Sequence, residues 1–146
     1  MKDIFAPLIA ILALWIAYQQ YKVQKYKAKF DLFERRMKIY ESIRDALENI
    51  VRDATTKNVN FNELYTAIRH SRFLFDDELN SYLKEIEKKI IELMITNNQL
   101  FGTESLPIGE ERTKVVHENS EYFTWLTSQL STLEDKFSNF MRINKI

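Results

Sequence analysis

Residues 76–93 read DDELNSYLKEIEKKIIEL, and the reading of this stretch decides the fold. Leu79, Leu83, Ile86, Ile90 and Leu93 alternate spacings of four and three over two heptads, which puts all five on one stripe of an α-helix. Asp76, Asp77 and Glu78 stand where the positive end of a helix dipole favours negative charge, and Phe75 before them is placed to act as a hydrophobic staple. The spacing predicts a helix over about 76–99, ended by a loop holding Gly102, Pro107 and Gly109. Beyond it, Tyr122, Leu126, Leu130, Leu133, Phe137 and Phe140 form a similar seam, so a last helix is expected over about 112–142.

Toward the N-terminus there is no proline or glycine between Pro7 and Gly102, which removes the usual punctuation of sheets and tight turns. Phe33, Met37, Tyr40, Ile43, Leu47 and Ile50 recur every three or four residues and read as one apolar stripe on a first helix reaching from about residue 4 to 54. The polar, Asn-rich stretch Thr55–Asn60 interrupts it, and Asn60 with Glu63 has capping-box spacing for a short helix over about 61–70. The expected architecture is therefore all-α: an N-terminal transmembrane helix running on into an antiparallel bundle of three to four helices.

The transmembrane part of that expectation rests on Ile4–Tyr21, an uncharged and mostly apolar run. Eighteen helical residues at about 1.5 Å each reach roughly 27 Å, against a hydrocarbon core of ~30 Å. Its eight strongly apolar residues, from Ile4 to Ile16, contribute about −4 kcal/mol to insertion with no charge opposing. With Asp3 as N-cap, Pro7 falls in the first turn, where a missing N–H costs nothing. Trp15, Tyr18 and Tyr21 lie toward the end that a headgroup layer favours, and Lys22, Lys25, Lys27 and Lys29 follow as lipid contacts. A cleaved signal peptide would carry its charge before the apolar core and a small-x-small site after it, the reverse of this order. A buried helix of a soluble domain is the other alternative, because the continuous apolar block is only about fifteen residues long before the glutamines.

Seven basic residues lie between positions 22 and 38, against Lys2 alone before the run, so the positive-inside bias places the C-terminal domain in the cytoplasm and the N-terminus outside. The 21 basic and 21 acidic residues balance overall but are separated locally: residues 19–44 carry net +5 and residues 45–146 net −5. The basic end suits an anionic leaflet, and the acidic bulk disfavours nucleic acid.

Chemistry is not legible. His70 and His117 stand alone, there is no cysteine, and no serine lies in a G-x-S-x-G or S-x-x-K pattern. Two glycines seven residues apart cannot make a phosphate-binding loop, and the acid pairs Asp76-Asp77 and Glu110-Glu111 are sufficiently explained as helix starts. No catalytic residue, cofactor, metal or small-molecule substrate is evident. Candidate partner contacts are Arg35 and Arg36, which compete with an Asp31–Arg35 pair on a solvated face, and Ile91, Ile95, Phe123 and Trp125, which lie beside the main seams and are otherwise explained as wide core stripes.

The segments WIAYQQYK (15–22), FDLFERR (30–36), IYE (39–41) and RFLF (72–75) resemble a group of small, uncharacterised bacterial proteins with one N-terminal inner-membrane span and no assigned activity. The likeness covers about forty residues and implies a bacterial inner-membrane location. Three functions stay open: a single-pass, non-catalytic interaction or assembly module that binds itself or a partner protein; an oligomerising, toxin- or defence-like effector that perturbs the bilayer; and a membrane-bound enzyme with a site between helices.

Overall fold

The computed structural model describes residues 5–142. Asp3 and Ile4, expected to cap and open the first helix, lie outside them. Four helices follow in order: α1 Phe5–Asp53, α2 Phe61–Ser71, α3 Asp77–Phe101 and α4 Glu110–Ser138, and no strand occurs among the described residues. The all-helical class is as the periodicities indicate.

α1 is 49 residues long, about 73 Å at 1.5 Å per residue, and Pro7 sits in its first turn without interrupting it. It ends at Asp53 because Ala54 adopts φ 50°, the left-handed conformation that turns a chain off a helix and that glycine usually supplies. α2 is capped by Asn60, whose Oδ1 accepts the Glu63 amide at 3.3 Å, while Glu63 answers through Asn60 Nδ2 at 3.2 Å. That is the capping-box pair, with the side-chain amide replacing the backbone N–H in the return arm. α3 is capped by Asp76, whose Oδ1 accepts the Leu79 amide at 2.9 Å. Gly102 closes α3 with its N–H on Asn98 O at 2.8 Å, so tightly that a Cβ there would run into the Asn98 carbonyl oxygen.

The helices form a ring in which α1 packs on α2 and α4, and α3 packs on α2 and α4, with the diagonal pairs apart. Cross-contacts set the directions. Lys136 meets Glu78, Tyr82 meets Gln129, and Asn119 meets Thr96, so α3 and α4 are antiparallel. Tyr40 packs against Phe137 and Arg36 reaches Phe140, which makes α1 antiparallel to α4; Ser42 beside Glu63 and Asn49 beside Asn58 do the same for α1 and α2. The product is an up-down-up-down four-helix bundle joined by short connections.

Its core holds the expected α3 stripe, Leu79, Leu83, Ile86, Ile90 and Leu93, together with Leu126, Leu133 and Phe137 from α4. On α1 the single expected stripe divides. Ile39, Ile43, Ala46, Leu47 and Ile50 are buried, whereas Met37 and Tyr40 are half-buried and Phe33 flanks the bundle. A helix between two neighbours needs a wide apolar arc, and Ile39 and Ala46 supply the half of it that the original spacing omits.

Only the C-terminal part of α1 belongs to this bundle. Residues 7–28 are exposed on every side, a free-standing helix of about 33 Å. No helix among the described residues is long and apolar enough to cross a membrane. Over the described residues the apolar run from Phe5 is followed at once by Tyr18, Gln19 and Gln20, whose polar groups lower the mean apolarity of any eighteen-residue stretch.

Candidate functional site

Two features of the molecule are not accounted for by core packing, and they share α1. The first is the free-standing helix. Leu8, Ile9, Ile11, Leu12, Leu14 and Ile16 point outward around its whole circumference rather than along one stripe. Trp15, Tyr18 and Tyr21 are exposed beyond them, and Lys22 Nζ folds back over the Tyr18 ring at 4.8 Å. Lys25 and Lys27 are exposed and Lys29 is half-buried, so the basic sleeve stands clear of the bundle until its last member.

The second feature is the junction where this helix enters the bundle. Arg36 donates from Nε to Leu74 O at 3.2 Å and from Nη1 to Phe140 O at 3.0 Å, joining α1 to the α2–α3 corner and to the end of α4. Its guanidinium carbon lies 5.7 Å from the ring centres of both Phe75 and Phe140. Phe75 in turn packs edge-on against Phe137 and Phe140, at 5.1 and 5.3 Å between centroids. Burial lowers the Arg36 pKa, and no carboxylate among the described residues pairs with it; two carbonyl dipoles and two ring faces hold the charge. The planar fork of arginine reaches two separated carbonyls at once, which a lysine ammonium cannot. Arg36, considered as a partner contact, is thus committed inside the molecule. Its neighbour Arg35 is exposed, and Asp31 and Arg35 form no ion pair among the described residues.

The other partner candidates separate as well. Ile95 is exposed and Ile91 half-buried, but Phe123 and Trp125 are packed against the core and serve as its margin. Apolar exposure not anticipated from the seams occurs where α3 and α4 extend past the rest of the bundle: Phe101, Val116 and, in the connecting loop, Ile108 at 98 %. Within that extension Asn119 Nδ2 donates to Thr96 Oγ1 at 2.8 Å and to Asn97 Oδ1 at 2.9 Å, a part-buried polar contact that favours one register of the two helices.

The concavities are shallow. A groove of about 530 Å³ between α1 and α2 is lined by Lys38, Ser42, Asn60, Glu63, Thr66 and His70. Ser42 Oγ there lies 2.9 Å from Lys38 O and 3.2 Å from Glu63 Oε1, its hydrogen-bonding capacity used locally, and no bond joins it to His70 among the described residues. A second groove of about 350 Å³ contains Asp76, Glu78, Asp135 and Lys136, with Glu78 and Lys136 paired at 2.8 Å. No group of three or more His, Asp or Glu able to hold a metal occurs among the described residues. His117 lies 3.5 Å from Glu121 on an open surface.

The class defined by these features is an all-α four-helix bundle carrying a projecting apolar and basic helix, gripped at its base by an arginine. Comparison with protein-family models, curated proteins and solved structures finds no match to this chain.

Proposed function

We propose that the protein is a single-pass, membrane-anchored helical interaction module without catalytic activity, held at the cytoplasmic face of a bacterial inner membrane by the N-terminal part of α1. The observation that carries this reading is the exposure of residues 7–28: about six turns of helix with apolar side chains on all sides at one end and lysines at the other. In water such a surface is strongly unfavourable, at about 25 cal/mol per Å² of apolar area, whereas lipid accepts it on every side at once. The continuous apolar block of about fifteen residues before the glutamines is shorter than a hydrocarbon core, a mismatch that local thinning and the outward reach of Lys22, Tyr18 and Tyr21 accommodate. Lysines immediately after the block favour retention of that side in the cytoplasm.

The bundle then serves as the binding body. Its shallow grooves, engaged hydroxyls and solitary histidines favour recognition over chemistry, and its uncovered apolar side chains give it surfaces for itself or for another protein. The all-round apolar character of the projecting helix supplies no polar face for a pore lining, so the anchor reading ranks above bilayer perturbation.

Membrane flotation tests the proposal. The intact chain should float with vesicles, resist extraction at high salt and alkaline pH, and enter solution with detergent, while protease added from the cytoplasmic side should digest the bundle. A well-dispersed protein found in the aqueous fraction without detergent would overturn the anchor.

A further inference from the structure

The free-standing part of α1 carries a second apolar line, on a different side from the one the bundle uses. Val23, Tyr26, Phe30 and Phe33 are spaced three, four and three apart, and Met37 and Tyr40 continue the pattern to the groove beside Phe137 and Met141. At about 100° per residue this line lies roughly 130° around the helix from Ile39, Ile43 and Ile50, off the buried stripe, and only its far end, at Tyr40, meets the core through Phe137. Val23 is 67 % exposed, Tyr26 70 % and Phe30 48 %, and none of the described residues covers them. The same register extends backward through Gln19, Ile16, Leu12 and Ile9, giving an unbroken alternation of threes and fours from residue 9 to 40.

We infer that this seam binds the same seam of a second copy, forming a parallel two-stranded coiled coil that begins in the bilayer and ends at the bundle. The inference rests on the anchor reading above, which holds both copies in one direction. Charge supports a second copy. With Val23 and Phe30 at a positions and Tyr26 and Phe33 at d, Lys29 falls at g and Glu34 at the following e, where each faces the other across a parallel dimer, twice by symmetry. Lys22 faces Lys27 in the same way, an unfavourable contact that anionic headgroups around it screen. Gln19 sits on the seam at the edge of the apolar block, where an amide pair across two helices fixes register.

Area decides where the dimer forms. The uncovered parts of Val23, Tyr26 and Phe30 amount to about 300 Å² per copy, on an aromatic scale of ~150–250 Å² per ring. Two copies therefore cover about 600 Å², short of the ~1,000 Å² of a stable interface. Ile9, Leu12, Ile16 and Gln19 make up the difference only when the anchors lie side by side, and confinement to a membrane raises the effective concentration further.

The absence of cysteine allows a direct test with the full chain in vesicles of neutral and anionic phospholipid. Single cysteines at Val23, Tyr26 and Phe30 should form disulfide dimers on oxidation at least fivefold more than cysteines at Lys25 and Ala28, which lie off the seam. In the Val23→Cys background, Phe30→Glu should abolish the dimer, Glu34→Lys should reduce it severalfold, and Lys29→Glu with Glu34→Lys should restore it. All these positions are exposed or nearly so, and unchanged helicity by circular dichroism confirms that the bundle persists. Floating protein that cross-links equally at every position, or at none, overturns the seam. Protein that fails to float refutes the anchor separately, and the seam is then judged by the same periodicity in the aqueous fraction.

Discussion

Replacing Arg36 by methionine tests whether one guanidinium clamps the projecting helix to the bundle. Methionine keeps most of the aliphatic stem but removes the bonds to Leu74 O and Phe140 O and the contacts with two rings. A hydrogen bond from a charged donor contributes about 1.5–3 kcal/mol, and a cation–π contact at a partly exposed site about 0.5–1 kcal/mol. The full sum overstates the loss, because Leu74 and Phe140 are half-buried and water can reach their carbonyls once the arginine is gone. A net destabilisation of about 2 kcal/mol is expected. Denaturant unfolding of the detergent-dispersed full chain, followed by circular dichroism, should show the midpoint falling with an unchanged slope. Arg36→Lys should recover less than half of the loss, since an ammonium cannot reach both carbonyls. A double-mutant cycle with Phe140→Leu should give a coupling of about 0.5–1 kcal/mol. A loss below about 0.5 kcal/mol for Arg36→Met would refute the clamp and leave aromatic packing alone to hold the junction.

Three further predictions concern the bundle itself. Ala54→Gly should stabilise by about 1 kcal/mol in the same unfolding assay, because φ 50° strains a Cβ that glycine lacks. Gly102→Ala should destabilise by about 1 kcal/mol or more, since the obstacle a Cβ meets is the Asn98 backbone rather than a movable side chain. Burial, with Glu85 adding to it, pushes the Tyr82 phenol up to about 12, and its hydroxyl bonds Gln129 Oε1 at 3.0 Å. Between about pH 10 and 12 the unfolded chain therefore ionises this tyrosine while the folded one keeps its proton. Stability from this group is complete below pH 10 and falls as pH rises through that window, by about 1 kcal/mol once its partial exposure is allowed for. Tyr82→Phe should remove that fraction of the alkaline loss in a pH series of unfolding midpoints.

Local signals reported local structure well. The α3 stripe is buried as its spacing requires, Asp76 and Asn60 cap the helices they precede, and the scarcity of glycine and proline is matched by long helices. Asp76-Asp77 and Glu110-Glu111 both stand at helix starts. The partner candidates were less legible. Arg35 and Arg36 are adjacent and chemically identical, yet one is exposed and the other is bound to carbonyls 38 and 104 residues away. No periodicity separates them, because the difference is made by chain that returns from the far end of the molecule. Trp125 and Ile95 look alike beside their seams, but the first packs partly buried against the core and the second is left open.

By itself the sequence determined the helical class, the order of the helices, the caps of α2 and α3, and the division of the chain into an apolar-then-basic head and an acidic body. Those properties depend on residues a few positions apart, whose geometry an α-helix dictates. Only the tertiary structure decided that the head projects without support, that the apolar stripe of α1 divides into an inward and an outward line, and that Arg36 closes the junction between them. Each of these depends on which faces the returning helices occupy, a competition for surface among distant segments that no local spacing records.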